Sequence, residues 1–103
     1  MNRFEGKTAL ITGAADGIGR ATAQIIASEG GTVVCVDMNA NALAAVTKAI
    51  GPGAHAAPAN ALDRADVERV VSEILSQHPR IDILVNCVGG STIIDNPAAG
   101  IEN

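Results

Sequence analysis

Three glycines and two carboxylates carry the chemistry legible in this sequence. Thr12 to Gly19 reads TGAADGIG, and it places Gly13, Gly17 and Gly19 between an apolar run and a helical pattern. A helix N-terminus leaves its first N–H groups unpaired and carries partial positive charge, so it suits a phosphate. Glycines let the chain turn tightly after the strand, let a pyrophosphate approach, and let the helix pack close to the sheet. Asp37 ends the second apolar run, TVVCVD. A carboxylate there can accept hydrogen bonds from the ribose hydroxyls of a bound adenosine dinucleotide and would repel a 2′-phosphate. Asp16 adds a second negative charge inside the turn, and neither Lys nor Arg adjoins Asp16 or Asp37. The cofactor expected from these residues is therefore NAD(H), in preference to NADP(H). A P-loop is excluded, because no Gly-Lys-Ser/Thr follows the glycines.

The other reactive side chains form no constellation. His55, His78, Asp82, Asp95 and Ser91 make no Ser/His/Asp set and no carboxylate pair. No Cys/His spacing suggests a metal. Ser91 reads as a solvated loop residue, and His78 as a helix-end residue. Cys35 and Cys87 read as buried, reduced thiols. The chain contains no Tyr and no Trp.

Composition narrows the class. A chain of 103 residues suits one small core; 48% hydrophobic and 17% charged residues argue against disorder. The net charge is −4, basic residues are scattered, and Phe4 is the single aromatic, which argues against a nucleic-acid surface. No apolar stretch approaches the ~20 residues of a membrane span. The N-terminal MNRFEGKTALITG does not read as a secretory leader. A soluble, cytoplasmic protein is expected.

These residues need a scaffold, and the pattern supplies one. Lys7–Thr12 reads as a buried strand. A helix over 18–29 follows, with Ile18, Ala21, Ile25 and Ile26 as its inner face. Thr32–Asp37 is a second buried strand, β-branched and continuous. Asn39 caps a helix to about Ile50, with Leu43, Val46 and Ile50 inward. The segment from Ala54 to Asn60 is a weak strand by composition, and Pro58 argues for a sheet edge. Asp63 caps a further helix, with Asp66 standing in a capping box and with Val67, Val70, Val71, Ile74 and Leu75 as a broad apolar face. Ile81–Asn86 is a fourth strand. This alternation predicts an α/β fold, a Rossmann-like doubly wound parallel sheet of about four strands in the order 3-2-1-4 with three helices. Cys35 and Cys87 then lie two strands apart, about 10 Å, too far for a disulfide.

With these motifs in place, the sequence resembles the short-chain dehydrogenase/reductase family. Thr12, Gly13, Gly17, Ile18 and Gly19 match its TGxxxGIG spacing, and Asn86 to Gly89, NCVG, matches its NNAG motif. The resemblance runs from Lys7 to about Gly90. It implies that the Thr12–Gly19 loop holds the pyrophosphate and Asp37 the adenine ribose. It also implies that Asn60 and Ala61 stand where the family has an Asp-Val pair beside the adenine amino group. Asn60 keeps an acceptor there but not the charge. Asn86 and Gly89 would lie near the nicotinamide ribose, while Cys87 and Val88 depart from the usual Asn-Ala. Family chemistry is a hydride transfer between alcohol and ketone, assisted by a Tyr, a Lys four residues later and a Ser. Lys7 and Lys48 are the only lysines here, and neither belongs to such a motif. The resemblance thus implies a dinucleotide-binding half-domain over 1–90 and a tail over 91–103 that leads into an absent catalytic half, with no catalytic residue of its own. Such a chain is the cofactor-binding part of an NAD-dependent oxidoreductase, a dinucleotide-binding module without chemistry, or an unstable fragment with an open fourth strand. A full-length member would be oligomeric; the state of this chain stays open.

Overall fold

The computed structural model describes residues 2–60 and 62–87. Four strands alternate with three helices: β1 (Thr8–Thr12), α1 (Gly17–Ser28), β2 (Thr32–Asp37), α2 (Ala40–Ile50), β3 (Ala54–Pro58), α3 (Arg64–Gln77) and β4 (Ile83–Asn86). All three strand pairings are parallel, and the order is β3-β2-β1-β4. Every strand therefore ends at the same edge of the sheet, and the loops that leave those ends share one rim.

Two cores lie on opposite faces. On one, Ile11, Val33 and Cys35 pack with Ala23 and Ile26 of α1 and Leu43 of α2. On the other, Val34 and Val36 pack with Val70 and Ile74 of α3. Alternate residues of β2 serve each face, which is why its buried stretch from Val33 to Val36 carries no charged or hydroxyl residue. β3 lies at the edge, where Pro58 deprives no neighbour of an N–H.

Several local expectations need correction. Ile18 and Ile25 do not face the core of α1; they are 78% and 53% exposed. The buried stripe is Gly19, Ala23 and Ile26. Small residues let this helix approach the sheet more closely than an isoleucine face would, and the stripe rotates accordingly. On α3, Val70 and Ile74 are buried, Val67 and Val71 half-buried, and Leu75 is exposed. Asp63 caps α3 as expected, accepting from Ala65 and Asp66 N–H. The reciprocal half of a capping box is absent. The Asp63 N–H is already held by the Asn60 carbonyl at 3.0 Å. The Asp66 carboxylate instead accepts from the Asn60 N–H at 2.7 Å. Cys35 is buried, whereas Cys87 is only half-buried; both are free thiols.

The fourth strand begins two residues later than its apolar run. Asp82 explains the shift: its N–H donates to the Thr8 carbonyl at 2.8 Å, and its carboxylate accepts from the Thr8 N–H at 2.9 Å. A side chain thus closes the pairing that a further ladder residue would have made. The Thr8 N–H, with Arg80 alongside, holds the Asp82 carboxyl below the usual carboxylate range.

Two outcomes are expected for stability. Leu43 is fully buried, so Leu43→Ala should lower the unfolding free energy by about 2–5 kcal/mol in urea melts. The folded-state pKa of Asp82 lies below its unfolded value, so its contribution is complete above about pH 4 and is lost as pH falls through the folded pKa. The stability gap between the wild type and Asp82→Asn should therefore be open at neutral pH and should close in acid. A gap that stays constant across that range would show that the charge of Asp82 does not matter.

Candidate functional site

The turn between β1 and α1 is built around a close approach of backbones. A Cβ placed on Gly19 would lie 2.2 Å from the Gly13 carbonyl oxygen and 2.7 Å from its carbon. Only glycine allows the first turn of α1 to sit on the end of β1 in this way. Gly13 and Gly17 adopt φ of 66° and 57°, the left-handed region that side chains disfavour. Gly17 has open space where a Cβ would stand. Asp16 caps the helix, its carboxylate accepting from the Gly17 N–H at 2.8 Å. The Arg20 N–H donates to the Asp16 carbonyl. Between them, the N–H groups of Ile18 and Gly19 have no partner among the described residues. Unpaired donors at a helix N-terminus are what an anionic oxygen binds.

Asp37 fastens this turn from the side. One carboxylate oxygen accepts from the Ala15 N–H at 3.1 Å and the other from the Asn39 N–H at 3.0 Å. Its carbonyl accepts from the Ala59 N–H at 3.0 Å, and the Val36 carbonyl from the Ala14 N–H at 3.1 Å. The ends of β1, β2 and β3 thereby meet at one residue. Asp37 makes no ion pair among the described residues, so its charge is balanced by peptide dipoles alone. Asn60 lies beyond Ala59 on the same rim. Its amide oxygen accepts from the Leu62 N–H at 3.0 Å and so is partly engaged. Ala61 lies outside the described residues.

The opposite wall comes from β4. The Thr12 hydroxyl donates to the Asn86 amide oxygen at 2.8 Å and accepts from the Cys87 N–H at 3.1 Å. Thr12 was expected among the phosphate-holding residues. Its hydroxyl joins β1 to the end of β4. Between the walls lies an open cleft of about 510 Å³, lined by Gly13, Asp16, Gly17, Ile18, Gly19, Asn86 and Cys87. It stands where α1 leaves β1 toward one face while β4 is entered from α3 on the other. Such a switch point at the carboxyl edge of a parallel sheet is the usual ligand crevice. Cys87 was not foreseen as a lining residue; its only signal was its place next to Asn86. Gly89 lies outside the described residues.

The remaining reactive groups stand apart. Burial pushes the Cys35 thiol up to about 11, which leaves it protonated and inert at neutral pH. Asp82 sits at the far edge of the sheet. His55 and His78 lie beside each other at the β3–α3 groove. Ser91 and Asp95 are outside the described residues. No group of three metal-ligating side chains occurs among the described residues, and no helix among them is long and apolar enough to cross a membrane.

Known proteins share this arrangement. Residues 7–102 match the family model for short chain dehydrogenases. Sorbitol dehydrogenase of Cereibacter sphaeroides is 48% identical over 84 residues, covering 82% of this chain and 33% of that protein. Among solved structures, the 3-ketoacyl-(acyl-carrier-protein) reductase of Brucella melitensis, complexed with NADH, superposes with a TM-score of 0.75 at 41% identity, covering 78% of this chain and 33% of that one. Hydroxysteroid dehydrogenase of Escherichia coli gives a TM-score of 0.76 at 34% identity over 82% of this chain and 37% of its own. The chain thus spans about a third of the length of these relatives. With the family model matched from Lys7 nearly to the last residue, and with the glycine turn, parallel sheet and rim crevice in place, the chain belongs to the short chain dehydrogenase family.

Proposed function

We propose that residues 1–90 form the dinucleotide-binding part of an NAD(H)-dependent oxidoreductase that interconverts an alcohol and a ketone. The observation that carries this reading is the Asp37 carboxylate. It is held at the end of β2, tied through Ala15 to the glycine turn, and free of any cationic partner among the described residues. A 2′-phosphate brought beside it would meet uncompensated negative charge, whereas ribose hydroxyls would donate to it. The cleft beside the turn has the size and the unpaired N–H groups that a pyrophosphate needs. Gly17 leaves open the space a Cβ would fill. On this reading the loop from Thr12 to Gly19 holds the pyrophosphate through the backbone of Gly13, Gly17, Ile18 and Gly19, with Asp16 capping α1 within it, and Asp37, Asn60 and Ala61 lie on the adenosine side. Asn86 and Gly89 lie on the nicotinamide side. The bound nicotinamide would supply the hydride acceptor or donor. The names of the relatives, dehydrogenases and a ketoacyl reductase, support an alcohol and a ketone as the two sides of the reaction.

Calorimetric titration tests the reading directly. NAD should bind at least about tenfold more tightly than NADP, a difference of about 1.4 kcal/mol. ADP should compete nearly as well as NAD, because the contacts assigned here are mostly on its adenosine and pyrophosphate groups. Asp37→Ser should weaken NAD more than NADP. An NADP affinity equal to or above that for NAD would overturn the cofactor assignment. The 103-residue chain carries no Tyr, so NAD and secondary alcohols are expected to give no NADH with it; steady turnover would refute the assignment of a binding role alone.

Gly19→Ala probes the turn itself. The added methyl meets backbone rather than a mobile side chain, so α1 must shift, at a cost of about 1–3 kcal/mol. Affinity for both ADP and NAD should fall together. A variant that loses stability yet keeps full ADP affinity would show that the turn is a packing device and not a phosphate site.

A further inference from the structure

His55 and His78 have no common role in the sequence, yet the fold brings them together. His55 lies on the edge strand β3, and His78 caps the C-terminus of α3. Their ring centroids are 5.0 Å apart and the rings are tilted by 58°. None of the four ring nitrogens has a hydrogen-bond partner among the described residues. Both rings line an open groove of about 170 Å³ between β3 and α3, and this groove shares no residue with the dinucleotide cleft.

We propose that His55 and His78 together bind a divalent transition-metal ion of the copper, nickel and zinc class. Two imidazoles on one ion, each bonded at about 2.0–2.1 Å, hold their ring centroids roughly 4.5–5.2 Å apart for bond angles from about 90° to tetrahedral. The observed 5.0 Å falls inside that window. Imidazole selects these ions, whereas magnesium and calcium prefer oxygen donors. No third protein donor joins the pair among the described residues, so water fills the other positions. The electrostatics tolerate a cation. Arg69 lines the groove, but Asp66 at 2.6 Å and Glu73 at 3.1 Å both pair with it, so the three groups together carry a net negative charge. The residues that β2 and β3 contribute to the groove, apart from His55, are uncharged. A bound ion would tie the unpaired side of β3 to the end of α3, just before the chain turns into β4.

Titration of the intact chain with NiCl2, CuCl2 and ZnCl2, by calorimetry and by thermal melts, tests the site without reference to dinucleotide binding. One ion per chain is expected, with copper bound most tightly. The melting midpoint should rise by roughly 4 °C or more at saturation. MgCl2 should do nothing, and EDTA should reverse the effect. His55→Gln and His78→Gln should each weaken binding at least about tenfold, because each removes one of the two imidazole donors. His55 is exposed and His78 caps through its backbone, so both variants should fold. The absence of binding to the wild-type chain would overturn the proposal and leave the pair as a ring contact. Binding that persists in the double variant would also overturn it, and would direct attention to the half-buried Cys87 thiol.

Discussion

Helix α1 must begin against the strand end that feeds it, and the contact between Gly19 and the Gly13 carbonyl is the constraint from which the site follows. With 2.2 Å between that oxygen and the place of a Cβ, the helix rests on the strand backbone. The intervening turn has to double back at once, which calls for positive φ at Gly13 and Gly17. The same closeness turns the small side of α1 inward, Gly19 and Ala23, and leaves Ile18 at the mouth of the cleft. A packing requirement of the fold therefore aims the unpaired first-turn N–H groups at the rim of the sheet. Stability and the proposed anion site rest on one set of glycines.

Carboxylates on backbone N–H groups finish both ends of the sheet, and they differ in whether a cation stands beside them. Asp82 completes the β1–β4 pairing at the amino edge, with Arg80 beside it. Asp66 holds the Asn60 N–H and pairs with Arg69, and both influences keep its carboxyl below the usual range. Each of these acids has a cationic neighbour. Asp37 has none among the described residues, although it too holds two N–H groups. A structural carboxylate gains from a cation at little cost. One that must discriminate against a phosphate gains from its absence, because a nearby Lys or Arg would welcome the added charge.

Strand order and parallel pairing were legible because they rest on features that neighbours alone decide: β-branched runs, caps at Asn39 and Asp63, and a proline confined to an edge. The glycine turn and Asp37 were legible for the same reason, since strand, turn and helix are contiguous in the chain. What the sequence concealed depends on distance. The face of α1 was misjudged because apolar size suggested Ile18 and Ile25, whereas closeness to the sheet favours glycine and alanine. The use of Thr12 was hidden because Asn86 and Cys87 arrive from a remote strand. The capping box at Asp66 failed because the Asn60 carbonyl had already taken the N–H it would have held. His55 and His78 looked unrelated because only the register of β3 and the length of α3 bring them together.

Asp37 would also couple the proposed cofactor choice to the shape of the turn. A carboxylate oxygen has two lone-pair directions, and one on each oxygen already receives a peptide N–H. Ribose hydroxyls would occupy the remaining directions and would find an acceptor whose orientation is fixed before binding. Less ordering then accompanies association, which is how a modest contact contributes affinity. The Ala15 N–H that fixes the carboxylate belongs to the turn beside Gly13 and Gly17. The residue proposed to reject the 2′-phosphate is thus one of the residues that hold the proposed pyrophosphate turn in place. Replacing it with a neutral side chain removes a repulsion and loosens the turn at once. The proposed selectivity between the two dinucleotides and the order of the glycine turn would then rest on the same pair of hydrogen bonds.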